Sequence, residues 1–475
     1  MDILFAAVLS FDLIVFLWDS YLSSRQYRLY KDTPKVPDEV STFMSQETFS
    51  KSRLYQMDKS NFGFWHHIYS QVEGIVSLFY GLPMLWYASS VLLESFGFSP
   101  DREIVQSCIF LVLTQLVSMV LEEPWSVYGT FVIEERHGFN KYTVGFYIKD
   151  KIKKFLVFTP LTLVITSLLI YVIQWGGEYF FVYAWLFCGT VMLVMVFIYA
   201  DFIAPLFDKY TPLPAGELRT AIENLAATVE FPLTKLYLVD GSKRSAHSNA
   251  YFYGFHKNKR IVLFDTLLRP EMLPEEMRKK SSGTEDESLK ETAEEEHEQV
   301  DKGEGEDTPA ETVASKDSKT EEEHGCTLDQ ILAVLLHELG HWKLSHNLKN
   351  IIISQINLFL CFFIFGLLVH QQYLYSSFGF PDSRPTLIGM VIIFQYIFSP
   401  YNEVMGFIMT QICRRFEFQA DEFAAKRNRS KELGEALVQL NKDNLSFPVS
   451  DWLYSECNHS HPSLIQRLHA LKKYQ

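Results

Sequence analysis

The chain has 475 residues, 48% of them hydrophobic, with 39 phenylalanines and a formal charge of −14 at neutral pH. Its apolar residues fall in long blocks, which argues against an ordinary soluble enzyme and for an all-α, multi-pass membrane protein. No basic excess suited to nucleic acid, no internal repeat and no phosphate-cradling glycine loop occurs, and the six scattered cysteines show no CxxC spacing.

Seven apolar blocks, each near the ~20 residues that cross a bilayer, run approximately over 3–18, 72–93, 104–121, 155–175, 179–200, 349–370 and 386–400. Met1-Asp2 offers no basic leader and no small-residue cleavage pattern follows Trp18, so the first block reads as an anchor. Arg25, Arg28, Lys31, Lys35, Lys51, Arg53 and Lys59 follow it, and Lys149, Lys151, Lys153 and Lys154 precede the fourth. Those loops are expected to face the cytosol, against Arg102 and Arg384 alone on the other side. The alternation predicts a lumenal amino terminus and a cytosolic carboxyl terminus. Membrane spans one to five then occupy 1–200, and spans six and seven 349–407.

The cytosolic part over 201–272 reads as a helix followed by a small sheet. Leu218, Ile222, Leu225 and Val229 recur at helical spacing, and Lys235–Val239 and Arg260–Phe264 read as strands. Ser248–Phe255 is expected to form a hairpin with the latter. An extended peptide can add to such a sheet as an edge strand.

Residues 273–326 form an acidic insertion. Within 281–323, seventeen Asp or Glu face four Lys, a net of −13 that leaves about −1 for everything else. A stretch so poor in apolar residues cannot bury enough surface to order itself, so a disordered cytosolic loop is expected.

A helix is predicted over 327–348, opened by a capping box of Thr327 and Gln330 and carrying His337-Glu338-Leu339-Gly340-His341. Positions i and i+4 share a helix face, so both imidazoles reach one tetrahedral metal ion while Glu338 points toward the water that ion would hold. A third protein ligand is still required. His346 is set aside as that ligand, because the metzincin pattern needs glycine at 344 and histidine at 347, where this chain has Leu344 and Asn347. The part over 408–475 supplies another candidate: Glu417 and Asp421 lie four apart on one face, so that Glu417 can ligate and Asp421 can accept from the far nitrogen of a ligating histidine. The competing reading is an acidic pair bridged to Arg414 and Arg415.

With those residues in view, the chain resembles the type I CAAX prenyl endopeptidases, integral-membrane zinc metalloproteases that trim farnesylated proteins and, in animals, process prelamin A. The resemblance covers nearly the whole length. It rests on His337–His341 with Trp342-Lys343-Leu344, Phe416–Asp421, Ser248–Phe255, Ser399-Pro400-Tyr401-Asn402-Glu403 and Asn441-Lys442-Asp443-Asn444-Leu445. It implies seven transmembrane helices forming a barrel around a hydrated chamber, with one Zn2+ in a gluzincin-like site at the cytosolic side. Carried over by motif, His337, His341 and Glu417 match the zinc ligands, Glu338 the catalytic base and Asp421 the carboxylate behind the ligands. Asn249 matches a substrate-contacting residue, and His461 and Arg467 match residues lining the active site. The implied substrates are prenylated CAAX proteins, met in contact with membrane lipid.

Lys472 and Lys473 stand fourth and third from the end, as in a dilysine retrieval signal, which points to the endoplasmic reticulum membrane and the continuous inner nuclear membrane. Three rivals remain: a non-enzymatic transporter or scaffold with a vestigial metal site, opposed by the intact set of ligands and base, and two other proteases. A site-two type enzyme would need an aspartate in an LDG-like motif on a later span, but Val239-Asp240-Gly241 comes earlier and outside any span. A membrane quality-control metalloprotease would differ in cleaving unlipidated proteins.

Overall fold

A computed structural model of the chain describes residues 2–255, 258–275, 277–278 and 324–475. The acidic segment 281–323 lies outside the described residues.

Five long helices come first: α1 (Ile3–Asp32), α2 (Gln46–Ser95), α3 (Glu103–Glu134), α4 (Val144–Trp175) and α5 (Gly177–Ile198). Four of them outrun their apolar blocks, α1 and α2 through strongly polar sequence. α1 continues through the basic stretch to Asp32, and α2 starts at Gln46 with the Ser45 side chain accepting from Thr48 N–H. Both extend beyond the hydrocarbon as polar helix.

The chain continues with β1 (Tyr210–Pro212), α6 (Glu217–Thr228), β2 (Leu233–Val239), β3 (Ala250–Phe255) and β4 (Asn258–Phe264). Strand order is β1-β2-β4-β3. β1 is antiparallel to β2, and β3 to β4 as the expected hairpin, whereas β2 and β4 run parallel, a pairing that their sequences do not reveal. Period-two alternation turns Leu236, Leu238, Ala250, Ile261 and Leu263 into one core.

That core is completed by α7 (Leu328–Lys343), whose capping box forms as expected, with Thr327 and Gln330 each accepting the other's backbone N–H. Ile331, Leu332, Leu335 and Leu339 bury one face of α7 there, each contributing about 1.5–3 kcal/mol. Ser345 then takes a left-handed conformation (φ 57°) and ends the helix. α8 (His346–Leu368) begins immediately, followed by α9 (Thr386–Ile397) and α10 (Ser399–Ala424). α9 and α10 are bent by 60° where Pro400 opens a new helix; counted as one broken span, the pair brings the six other crossings to seven. Three shorter helices close the chain: α11 (Ser430–Asp443), α12 (Trp452–Asn458) and α13 (Leu464–Leu471).

Each crossing packs on the next, from α1 through α5 to α8 and α9, and α10 returns to α1, so the seven close a ring. One end is plugged by an apolar cluster including Phe110, Ile170, Phe180, Phe365, Tyr375 and Ile388. Asp2 lies at this end, accepting from Ser377 Oγ at 2.5 Å. The sheet, α7 and α11 form the core at the other end, and no comparable cluster lies between the two among the described residues. There the spans meet through polar pairs: His66 with Glu122 at 3.0 Å, Thr159 donating to Gln115 at 2.7 Å, and Tyr401 donating to Asn357. A ring of seven helices with a polar middle is the barrel that the resemblance implied.

Candidate metal centre

α7 and α10 cross at Gly340. A Cβ at that position would meet Phe423 at 3.1 Å and Ala420 at 3.3 Å, so the glycine lets the helices approach and brings Glu417 over the two histidines. His337 Nε2 lies 3.2 Å from His341 Nε2. Glu417 Oε2 lies 3.5 Å from the first, and Glu417 Oε1 3.3 Å from the second. Tetrahedral bonds of about 2.0–2.1 Å place ligand atoms roughly 3.3 Å apart, so the two imidazole nitrogens and one oxygen of the Glu417 carboxylate fit three corners of one metal site with the fourth corner open. Glu417 Oε2 is also buried without a properly angled hydrogen bond, as a metal-facing oxygen would be. Two imidazoles and a carboxylate are a zinc donor set.

Each histidine is gripped from behind. Asp421, 1% exposed, holds Oδ1 2.9 Å from His337 Nδ1, which fixes the proton there and leaves Nε2 for the metal. Arg467 forks onto Asp421, Nη2 to Oδ1 at 2.6 Å and Nε to Oδ2 at 2.9 Å. Behind His341 stands His346. Its Nε2 donates to Gln419 Oε1 at 3.0 Å, so its Nδ1 accepts from His341 Nδ1 at 3.0 Å, and its ring stacks on Phe416 with centroids 4.1 Å apart. The residue set aside as a ligand therefore orients one. Its position five residues after His341 is the only sequence signal for that.

Burial acts to lower His337, but the carboxylates of Asp421 and Glu417 outweigh it and push the metal-free imidazole up to about 9. Loading a metal ion releases that proton. Burial pushes the Glu338 carboxyl up, against the opposing pull of His337 and His341. A carboxyl raised in this way is a better proton acceptor than an ordinary one.

His461 is largely exposed (67%) and sets Nδ1 2.9 Å from Glu417 Oε2. Asn249 stands apart, exposed just before β3, its Oδ1 accepting from Ala250 N–H at 2.8 Å and its carbonyl from Phe264 N–H at 3.1 Å. β3 is an edge strand that runs beside α7. Arg414 does not bridge the acidic pair. It is buried and donates to Ser455 and His459 carbonyls, to Glu456 at 2.6 Å and to Gln466 at 3.2 Å. It thereby holds the segment that presents His461 and Arg467, a role its sequence position does not announce.

The comparisons agree with this architecture. Residues 26–209 match the family described as CAAX prenyl protease N-terminal, five membrane helices, and residues 212–475 match peptidase family M48. The CAAX prenyl protease 1 homologs of Homo sapiens and Mus musculus are 55% and 54% identical over 470 residues, 99% of this chain and 95% of each relative. The crystal structure of S. mikatae Ste24p is similar with a TM-score of 0.80 at 33% identity, covering 99% of both chains.

Proposed function

The chain belongs to peptidase family M48 in its membrane-embedded CAAX prenyl protease form, and we propose on that premise how its residues divide the work of a zinc endopeptidase acting on prenylated proteins. The reaction is removal of the terminal tripeptide from a C-terminally prenylated CAAX protein, with a second upstream cleavage on some substrates. The observation that carries the reading is the triangle of His337 Nε2, His341 Nε2 and a Glu417 carboxylate, with edges of 3.2–3.5 Å.

His337, His341 and Glu417 hold one zinc ion. When bound, it supplies a Lewis acid that acidifies a water molecule and polarises the scissile carbonyl. Glu338 would take a proton from the attacking water as its oxygen bonds to the scissile carbonyl carbon, and return it to the amine nitrogen as the C–N bond breaks. Asp421, clamped by Arg467, keeps His337 in the ligating tautomer. His461 or Arg467 donates to the carbonyl oxygen as its charge develops, and the Arg467 cation also attracts a terminal carboxylate. Asn249 and the free edge of β3 take the peptide as an added strand.

The membrane setting suits a lipidated substrate. A prenyl chain gains about 0.8 kcal/mol per buried CH₂, so the bilayer concentrates it beside the ring. The catalytic parts 201–272, 327–348 and 408–475 are assigned to the cytosol and the amino terminus to the lumen. The endoplasmic reticulum membrane and the continuous inner nuclear membrane are the proposed location, in keeping with a multi-pass CAAX protease.

Purified Glu338→Gln should retain one zinc ion per chain and lose about 10²-fold or more in turnover. A variant that binds zinc and still cleaves would remove Glu338 from its role. Matched prenylated and unprenylated peptides test the substrate class: equal cleavage of both would favour membrane quality control instead.

A further inference from the structure

The motif Asn441-Lys442-Asp443-Asn444-Leu445 supplies no group to the metal centre, yet it touches both elements that must be aligned there. α11 ends at Asp443, and Leu445 N–H bonds the Lys442 carbonyl at 3.0 Å while Ser446 N–H bonds that of Asn441 at 2.9 Å. This closure demands a left-handed residue, normally glycine, but here Leu445 adopts φ 44° and its carbonyl is held by Gln56 Nε2 at 3.0 Å. The turn is thus locked, and its two polar side chains point to different partners.

Asp443 Oδ2 accepts from Gly325 N–H at 3.1 Å, two residues before the cap of α7. Gly325 itself sits at φ 85°, where a Cβ would meet the Leu268 backbone at 2.8 Å, so this entry to α7 has little freedom. Asn444 Oδ1 accepts from Ser248 N–H at 2.9 Å and from His247 Nδ1 at 3.3 Å, immediately before Asn249 and β3. His247 is stacked on Phe139 with centroids 4.2 Å apart and lies 3.4 Å from the Tyr55 hydroxyl, which donates to Glu134 at 2.8 Å. The approach to β3 is therefore tied to α2 and α3 as well.

We propose that the turn Asp443–Leu445 is a clasp that fixes the spacing between the metal helix α7 and the edge strand β3, with Asn444 as a positioning residue for the bound peptide. This rests on the reading that the peptide adds to β3. Without the Asn444 acceptor, the start of β3, still joined to Thr266 through Ser248 and His247, loses its tie to the end of α11 and its spacing to α7 relaxes, while the metal ligands, held by their own partners, stay in place. The loss falls on peptide binding rather than on zinc or on the chemical step.

The test uses the full-length protein, a cleavable prenylated peptide, and the same peptide N-methylated on the backbone amides that would face β3. Asn444→Ala should raise KM about tenfold, the value of one buried hydrogen bond, with kcat within about twofold and zinc content unchanged. Asn444→Asp, which keeps the acceptor, should restore KM. Should the alanine variant not fold, Asn444→Gln, which displaces the oxygen by one methylene, takes its place. Unchanged KM in these variants, or a loss of zinc or of kcat alone, would overturn the clasp. If N-methylation leaves the wild-type KM unaltered, it is the strand-addition reading that fails.

Discussion

His337 and His341 present the same atom to the same point, but opposite kinds of partner hold them. Behind His337 is a charged, buried arm: Asp421 at 2.9 Å, itself forked by Arg467 at 2.6 and 2.9 Å. Behind His341 is a neutral relay through His346 to Gln419, each step 3.0 Å, steadied by the stack on Phe416. Hydrogen bonds to ions are about twice as strong as neutral ones. The charged arm should therefore govern affinity for the metal, and the neutral one the angle of a single ring.

Asp421→Asn is the largest expected break. Replacing a carboxylate behind a ligating histidine typically costs 10–100-fold in metal affinity, here read by competition with a chelator at fixed pH. The same variant should change the metal-free protein. Wild-type His337 is raised to about 9, so it contributes stability that is fully present below its ordinary ~6.5 and is lost as pH rises through about 9. Thermal melts of chelated protein should show that decline between roughly pH 6.5 and 9 in wild type and lose most of it in Asp421→Asn. An identical pH profile in both would mean that Asp421 does not hold the proton on His337.

His346→Ala should do less. It removes one neutral hydrogen bond, worth about 0.5–1.5 kcal/mol, so zinc affinity should fall by at most about tenfold. A loss equal to that of Asp421→Asn would end the distinction between the two arms.

The difference between the arms also separates what the sequence discloses from what it conceals. His337, His341, Glu417 and Asp421 are legible because each pair repeats at i+4 on a helix, a spacing that already puts both groups on one face. His346 is not, because its contact with His341 depends on the reversal at Ser345, and no local pattern requires a left-handed serine. The same holds for the fold. Alternation exposes β3 and β4, but the parallel pairing of β2 with β4 depends on where the intervening chain crosses. Apolar blocks locate the spans, while the polar continuations of α1 and α2 carry no hydropathy signal. The 60° break before α10 has a visible cause in Pro400, yet the direction of the bend comes from packing.

The smallest expected effect is at Ser345, and it bears on how the neutral arm is set. A left-handed residue with a Cβ carries about 1–2 kcal/mol of steric cost, whereas glycine avoids that cost but loses about 0.5–1 kcal/mol through its freer unfolded chain. Ser345→Gly should therefore stabilise by at most about 1 kcal/mol, a rise in melting temperature under about 4 °C. If the relay is held by its own contacts, the stack on Phe416 and the bond to Gln419, peptide cleavage will not change. If activity falls while stability rises, the stiffness of Ser345 is what aims His346, and the neutral arm reaches back through the α7–α8 turn rather than ending at Gln419.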